Sequence, residues 1–417
     1  MPEIVIHQTA SGRRAAYAAS LVAIIIGLVV AASLFADTIA SRAAYKEVAA
    51  FAVRIAPWNP RTHSAHARLL EKTFYPEDLP RSLEEYETSV ALSPRDFQLW
   101  LDLGRARSRS GDDAGAETAL RKAHELAPNY AQASWALGNF LLRQGNEDEA
   151  FGLIRRASDS DPTLANPAIA NAWQVYDGDA ATIQKLAGDS PNLRAALAAF
   201  LARQGRFDDS VAVWTSLSDS HRVDQFKTQG DDILRQMLNA KRYRDAAGLS
   251  GGRFQTGNAD NGGFENPVSL QSPSVFEWKL PNGTTPQVAF DEAQKRSGNR
   301  SLVLVFANDS GPSGAIVSQT VAVEPNRQYS IRGFYKSDLK AAATLRWDVV
   351  GADMKVIASA PSLEAKADWT EFRVSFTVPD GTDGVTLNLV RADCKTAICP
   401  ISGRVWLDDI EFVQNQN

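Results

Sequence analysis

Residues 94–128 read PRDFQLWLDLGRARSRSGDDAGAETALRKAHELAP, and residues 128–162 read PNYAQASWALGNFLLRQGNEDEAFGLIRRASDSDP. Pro94, Pro128 and Pro162 are spaced by 34 residues each. Gly104 and Gly138 keep that interval, as do Gly111 and Gly145, Ala116 and Ala150, and Ala123 and Ala157. A set of columns recurring at one period identifies an internal repeat. A period in this range belongs to solenoids built from short supersecondary units.

Each unit reads as helix, turn, helix. Within residues 97–109, Trp100, Leu103 and Arg107 fall at helical spacing, and small Gly104 lets a neighbouring helix approach. Gly111 and Gly145 follow the first helix, where the chain takes a positive φ. Ala116, Leu120 and Ala123 line one face of the second helix, and Pro128 stops it. Leu137, Gly138, Leu141, Ala150, Ile154, Ala157 and Pro162 repeat the scheme. On these residues the segment resembles tetratricopeptide repeats, from about Asp37 to Leu249. Upstream, Pro57 closes a half-repeat, and Ser82, Tyr86, Ser89 and Pro94 occupy second-helix columns after an insertion near residues 74–80. Downstream, Leu197, Leu201, Gly205, Ser210 and Trp214 recover the pattern, residues 166–191 depart from it, and residues 233–247 read as a closing helix pair. The resemblance implies a concave face that holds a peptide or a partner helix. Trp100 and Trp214 lie on packing columns, whereas Trp135 is one place off its column and can face the groove.

After Ala247 the period changes. Residues 248–263 are rich in Gly, Asn and Asp, and the apolar pattern then becomes two-fold. Residues 301–306, 316–323, 329–335, 344–350, 372–378, 385–390 and 405–412 read as strands, separated by turn signals such as residues 324–326 and 379–384. Seven or eight short strands predict an antiparallel sandwich. The order Asn261-Gly262-Gly263-Phe264-Glu265, then Arg296 to Leu302, Gln319, Pro325, Tyr329, Trp369, Phe376 to Pro379 and Trp406 to Ile410 resembles carbohydrate-binding modules with a galactose-binding-like jelly roll. The expected fold is therefore multidomain: an all-α repeat solenoid followed by an all-β jelly-roll sandwich. That resemblance implies a structural calcium held by Glu265, the Gly298 turn and Asp409. The alternative has Asp408 and Asp409 ending a strand and Glu265 bonded to turn amides. It also implies a glycan ligand stacked on an exposed ring, with Trp278 and Tyr335 the candidates. Trp347 alternates with Leu345 and Val349 and belongs to the core.

The N-terminus sets the compartment. No charge occurs from Ala15 to Ala36, and residues 21–30 read LVAIIIGLVV. About twenty apolar residues cross a bilayer as a helix. Arg13 and Arg14 precede the stretch and Asp37 follows it, which places the short N-terminus in the cytoplasm and the remainder outside. A cleaved signal peptide is the rival reading; residues 38–40, Thr-Ile-Ala, make a poor cleavage site. The expected organisation is a cytoplasmic tail over residues 1–14, a transmembrane helix over 15–36, repeats over 37–250, a linker over 251–260 and the sandwich over 261–417. Outside the cytoplasm, Cys394 and Cys399 predict a local structural disulfide.

The remaining features exclude more than they assign. A net charge of -5 over 417 residues offers no basic field for nucleic acid. The five histidines are His7, His63, His66, His124 and His221. His63 and His66 lie one helical turn apart without a zinc-protease motif, so a solvated helix face is expected. No nucleophile elbow, phosphate loop or dinucleotide fingerprint is present in the sequence. The expectation is a non-enzymatic, membrane-anchored scaffold with a protein partner in the groove and a polysaccharide on the sandwich, serving cell-envelope or exopolysaccharide assembly or export. An assembly factor without sugar affinity and a glycan-modifying enzyme are the alternatives.

Overall fold

In the repeats, helix boundaries fall where the sequence supplies caps. The Asp96 carboxylate accepts from the Gln98 amide (3.0 Å), Asp112 from that of Gly115 (3.0 Å) and Asp179 from that of Ala181 (3.1 Å), each satisfying an amide that helix geometry leaves open. Gly111 and Gly145 adopt φ of 84° and 77°, a conformation glycine takes without a steric cost. The computed structural model describes residues 10–73, 75–283, 286–309, 314–393 and 399–414. The chain divides into two compact units, Met1–Leu197 and Ala198–Asn417.

The first unit is helical. Helix α1 (Ala10–Arg42) is followed by α2 (Lys46–Ile55). Successive antiparallel pairs come next: α3 (Pro60–Glu71) with α4 (Asp78–Leu92), α5 (Phe97–Ser110) with α6 (Asp113–Leu126), and α7 (Ala131–Arg143) with α8 (Glu147–Ser160). The departure expected over residues 166–191 is a short pair, α9 (Ala165–Val175) and α10 (Ala180–Ala187). The glycine columns act as close-approach points: a Cβ on Gly104 would lie 2.7 Å from Leu120 Cγ, and one on Gly138 would lie 2.9 Å from Ile154 Cγ1. Segment Arg14–Arg42 of α1 contains an 18-residue window with a mean hydropathy of 2.6 and is long and apolar enough to cross a membrane. Its last turns are packed, with Ala36 and Ala40 against Ala52, Ala56 and Ala65.

The second unit begins inside α11 (Pro191–Arg203) and continues through α12 (Phe207–Thr215), α13 (Lys227–Asn239) and α14 (Tyr243–Gly248) into a β-sandwich. One sheet has the order β1 (Gln287–Asp291), β2 (Ser301–Asp309), β9 (Ile401–Gln414), β4 (Gln328–Ala341), β7 (Lys366–Thr377). The other has the order β3 (Ala315–Ala322), β8 (Gly384–Arg391), β5 (Leu345–Gly351), β6 (Val356–Ser359). Every pairing is antiparallel, and one apolar core fills the space between the sheets. Strands β1 and β6 were not foreseen, because both are edge strands without a strong apolar alternation. Strand β9 does not end at Asp408 and Asp409. It passes through them with Asp409 at φ 50° and a register shift opposite β4, the signature of a bulge.

The closing helix pair is fastened to the sandwich. Asp383, in the turn before β8, accepts from the Tyr243 amide (3.1 Å) and the Arg244 amide (3.4 Å), capping α14 from another element. A Cβ on Gly384 would clash with the Tyr243 ring. The segment 251–260, expected as a linker, is tied to the sandwich: the Gly257 amide donates to Ala322 O (2.7 Å), and Phe254 packs on Phe276 with centroids 5.2 Å apart.

Candidate functional site

In the first unit, the first helices of the repeats turn one face toward a cavity of about 260 Å³. Arg105 and Arg109 from α5, Trp135, Asn139 and Arg143 from α7, and Asn171 from α9 line it. Arg105 and Arg109 are one turn apart on α5, as Trp135, Asn139 and Arg143 are along α7, so each set shares a helix face. The off-column position of Trp135 thus brings it into the groove, as its spacing allowed. Asn139 Nδ2 donates to Trp135 O (2.8 Å), and Asn171 Nδ2 donates to Asn139 Oδ1 (3.1 Å), fixing both amides. Arg109 pairs with Glu71 at 2.7 Å. Arg143 donates to Ser108 Oγ (3.3 Å), and neither Arg105 nor Arg143 has an ion-pair partner among the described residues. Asp102 lies on the same face of α5 as Arg105; burial pushes its carboxyl up, opposed by Arg68 and Arg105. The cavity is positively charged, half-lined by donors and bounded by one indole. It can accept carboxylates, with guanidinium groups able to grip them in two-point geometry.

His63 and His66 overturn their expectation. They are 7% and 5% exposed, so they form no solvated face. His63 Nδ1 lies 2.5 Å from Glu85 Oε2, and His66 Nδ1 lies 3.0 Å from Glu85 Oε1. His63 Nε2 faces Pro57 O at 2.9 Å. Both His63 nitrogens therefore face acceptors, which only the imidazolium form satisfies. Burial opposes that charge, but Glu85 and the Pro57 carbonyl win and the His63 pKa is raised. Glu85 is buried too, yet the two imidazoles hold its carboxyl down at about 2.

On the sandwich, the glycan-stacking assignments fail. Trp278 is 1% exposed, donates through Nε1 to Asn261 O (3.1 Å) and packs against Phe264 and Trp347. Tyr335 is 4% exposed, and its hydroxyl accepts from the Glu364 amide (3.1 Å). Both rings belong to the core, so neither offers a face to a sugar. Trp347 is buried as expected. Among the described residues no fully exposed aromatic ring belongs to the sandwich. The outer face of the four-stranded sheet instead carries a polar row. Ser318 pairs in register with Asn388, Asn388 with Asp348 and Asp348 with Ser359, so the four side chains share one face. Asp348 accepts from Arg346 Nε (3.0 Å) and Ser359 Oγ (2.7 Å), and Thr320 bonds Thr386 beside it (3.0 Å). Asp348 is buried within the row, Ser318 and Asn388 are half-buried, and Ser359 is exposed. The row has no signature in the sequence, because its members become neighbours only through strand register.

Glu265 and Asp409 both approach Gly263: a Cβ there would lie 3.8 Å from Glu265 Cγ and 3.8 Å from Asp409 Oδ1. Both carboxylates already face protein donors. Glu265 accepts from the Asn299 amide (2.9 Å) and Asn299 Nδ2 (3.1 Å), as the turn-amide alternative held. Asp409 accepts from Arg296 Nη1 (2.6 Å) and Ser297 Oγ (2.6 Å), and the guanidinium of Arg296 lies 3.4 Å from the Phe334 ring centre. Neighbouring Asp408 is fully buried and takes the Arg296, Ser297 and Asp409 amides. Calcium requires six to eight oxygens. No group of three or more acidic, histidine or cysteine side chains is poised for a metal among the described residues. In this arrangement Arg296 supplies the positive charge, and calcium fits only if it is displaced. For the expected disulfide, Cys394 lies outside the described residues; Cys399 is buried.

Residues 75–131 and 101–165 match the tetratricopeptide-repeat family. Residues 75–165, which span α4 through α8, are therefore tetratricopeptide repeats. The chain is 29% identical over 139 residues to the tRNA nuclease WapA of Bacillus subtilis, covering 31% of this chain and 6% of that protein. The chain thus spans only a small part of the curated relative it matches. Among solved structures, a CBM4 module aligns at 17% identity with a TM-score of 0.29, over 38% of this chain and 99% of that one. MamA aligns at 17% identity with a TM-score of 0.28, over 48% of this chain and 90% of that one. The description of the sandwich rests on its own strand order and register.

Proposed function

We propose that this chain is a non-enzymatic scaffold held in the cytoplasmic membrane by α1, with its repeats and sandwich on the outer face. The repeat groove holds an acidic segment of a protein partner, and the sandwich contacts a polysaccharide during cell-envelope or exopolysaccharide assembly or export. The observation that carries the reading is the groove of α5, α7 and α9, where Arg105 and Arg143 face a cavity without ion-pair partners among the described residues. Arg105 is half-buried near Asp102 and Arg143 is exposed, so a carboxylate-bearing ligand can reach both guanidinium groups and be gripped in two-point geometry. Support for the sandwich as a glycan contact is its resemblance to carbohydrate-binding modules together with the polar row of Ser318, Asn388, Asp348 and Ser359. The rival, an assembly factor with two protein-contact modules, is favoured by the lack of an exposed aromatic platform among the described residues.

The test uses the full chain in lipid discs. Pull-down from membranes with wild type and Arg105→Glu/Arg143→Glu baits should return a partner that the double variant loses. Equal recovery by both removes the groove assignment. A glycan array probed with the same discs separates the two readings of the sandwich, since binding that vanishes in Asn388→Ala, at a half-buried member of the row, supports sugar contact. Incubation with labelled polysaccharide should release no product; turnover would make the chain an enzyme.

A further inference from the structure

The turn between α2 and α3 is bonded to a part of α1 that belongs to its apolar stretch. Trp58 Nε1 donates to Ser33 Oγ (2.7 Å), Asn59 Nδ2 donates to Ser33 O (3.3 Å), and Arg61 Nη1 pairs with Asp37 Oδ2 (3.4 Å). Ser33 precedes Asp37, the charge that closes the apolar run, by four positions, or about 6 Å at 1.5 Å per residue. The charge-free run Ala15–Ala36 is about 33 Å long as a helix, close to the hydrocarbon thickness of about 30 Å. Whatever holds α1 in a bilayer therefore brings Trp58 to the boundary between acyl chains and headgroups.

The residues around Trp58 suit that place. Helix α2 buries Ala49 and Ala52, and Ala52 packs with Ala36 and Ala40 in the last turns of α1 and with Ala65 of α3, with Ile55 against the same cluster. Its other stripe is also apolar: Val48 and Phe51 are 39% and 49% exposed, and Trp58, 45% exposed, follows after the helix end. A helix with a second, large-residue apolar stripe gains nothing from water there. Arg54 and Arg61 are exposed on the same short stretch, where basic side chains attract anionic headgroups. Indole rings favour the interfacial layer, and with its N–H satisfied by Ser33 Oγ, Trp58 brings an apolar ring there without an unpaired donor.

We infer that the α2–α3 turn, with Trp58 as its anchor and Phe51 beside it, sits in the outer interfacial layer of the membrane that α1 crosses. This rests on the reading of α1 as a retained membrane span. The partner is the lipid surface, and the consequence is that the first repeat is held to the membrane at two places.

The test places the full chain in discs of phosphatidylcholine brominated near the headgroup end of the acyl chains, against unbrominated discs. The sequence has nine tryptophans, so bromine should quench up to about one ninth of the wild-type emission. Trp58→Phe should abolish that quenching, and Phe51→Trp, at an exposed helix position, should raise it about two-fold. A chain that elutes with the discs yet is quenched equally in wild type and Trp58→Phe, with no increase in Phe51→Trp, overturns the inference and leaves the anchor standing. A chain that does not elute with the discs removes the anchor, and this inference with it.

Discussion

Replacing Glu85 by Gln keeps the shape of the His63–Glu85–His66 cluster and removes its charge. A carboxyl pKa lowered from 4.5 to about 2 corresponds to about 3 kcal/mol, at about 1.4 kcal/mol per unit. The Glu85 side chain keeps 21% exposure, and solvent screening reduces the figure to about 2 kcal/mol. The sign follows from the direction of each shift. The Glu85 contribution is complete above its ordinary value of 4.5 and is lost as pH falls through about 2. The His63 pKa is raised, so its contribution is complete below its ordinary 6.5 and is lost as pH rises through the higher folded value. Helices α3 and α4 should therefore be most protected between about pH 4.5 and 6.5. Hydrogen exchange of their backbone amides reads this locally, without requiring the two-unit chain to unfold in one step. At pH 6, Glu85→Gln should speed exchange in α3 and α4 about 30-fold, the equivalent of about 2 kcal/mol, and leave β4 unchanged. The alkaline decline should also disappear in the variant. Equal protection in both proteins, or the same alkaline decline in both, would refute the ionic account of this cluster.

Other outcomes follow from the same contacts. Tyr335→Ala and Trp278→Ala should each destabilise the sandwich by about 3–5 kcal/mol as cavity-forming changes; loss of glycan retention with unchanged stability would return these rings to the surface. Chelation with EDTA should leave the melting temperature of the sandwich unchanged while Arg296→Ala lowers it, because the Asp409 carboxylate then loses its cation; a fall with EDTA alone would place calcium at Glu265 and Asp409. Gly384→Val should detach α14 from the sandwich, seen as proteolytic cleavage near Gly251 and Gly252 that wild type resists.

Legibility in the sequence tracked the range of the interactions involved. The proline, glycine and alanine columns describe constraints within one helical hairpin: a stop, a positive φ and a close approach. Each is set by a residue's own stereochemistry, so Gly104, Gly111 and Pro128 could be read directly. The sandwich was legible from two-fold alternation. Whether Tyr335 or Phe334 points inward depended on register with β7 and β9, which alternation alone does not fix. The same limit misplaced Trp278, which precedes β1 and has no strand partners to read. Glu85 was within reach, since Ser82, Tyr86 and Ser89, on second-helix columns of the same helix, bond to Ala67, Glu71 and Pro60 of α3, the helix that carries His63 and His66. The polar row from Ser318 to Ser359 joins four strands and has no local signal. The bond from Trp58 to Ser33 likewise spans a reversal of the chain that no short motif marks.

The orientation of the chain underlies every binding role proposed above, and one fusion measures it directly. Alkaline phosphatase joined after Asn417 folds and works only outside the cytoplasm. The account predicts phosphatase activity in cells, with the fusion retained in membranes after an alkaline wash. An inactive fusion, or an active one released in full by the wash, would contradict it.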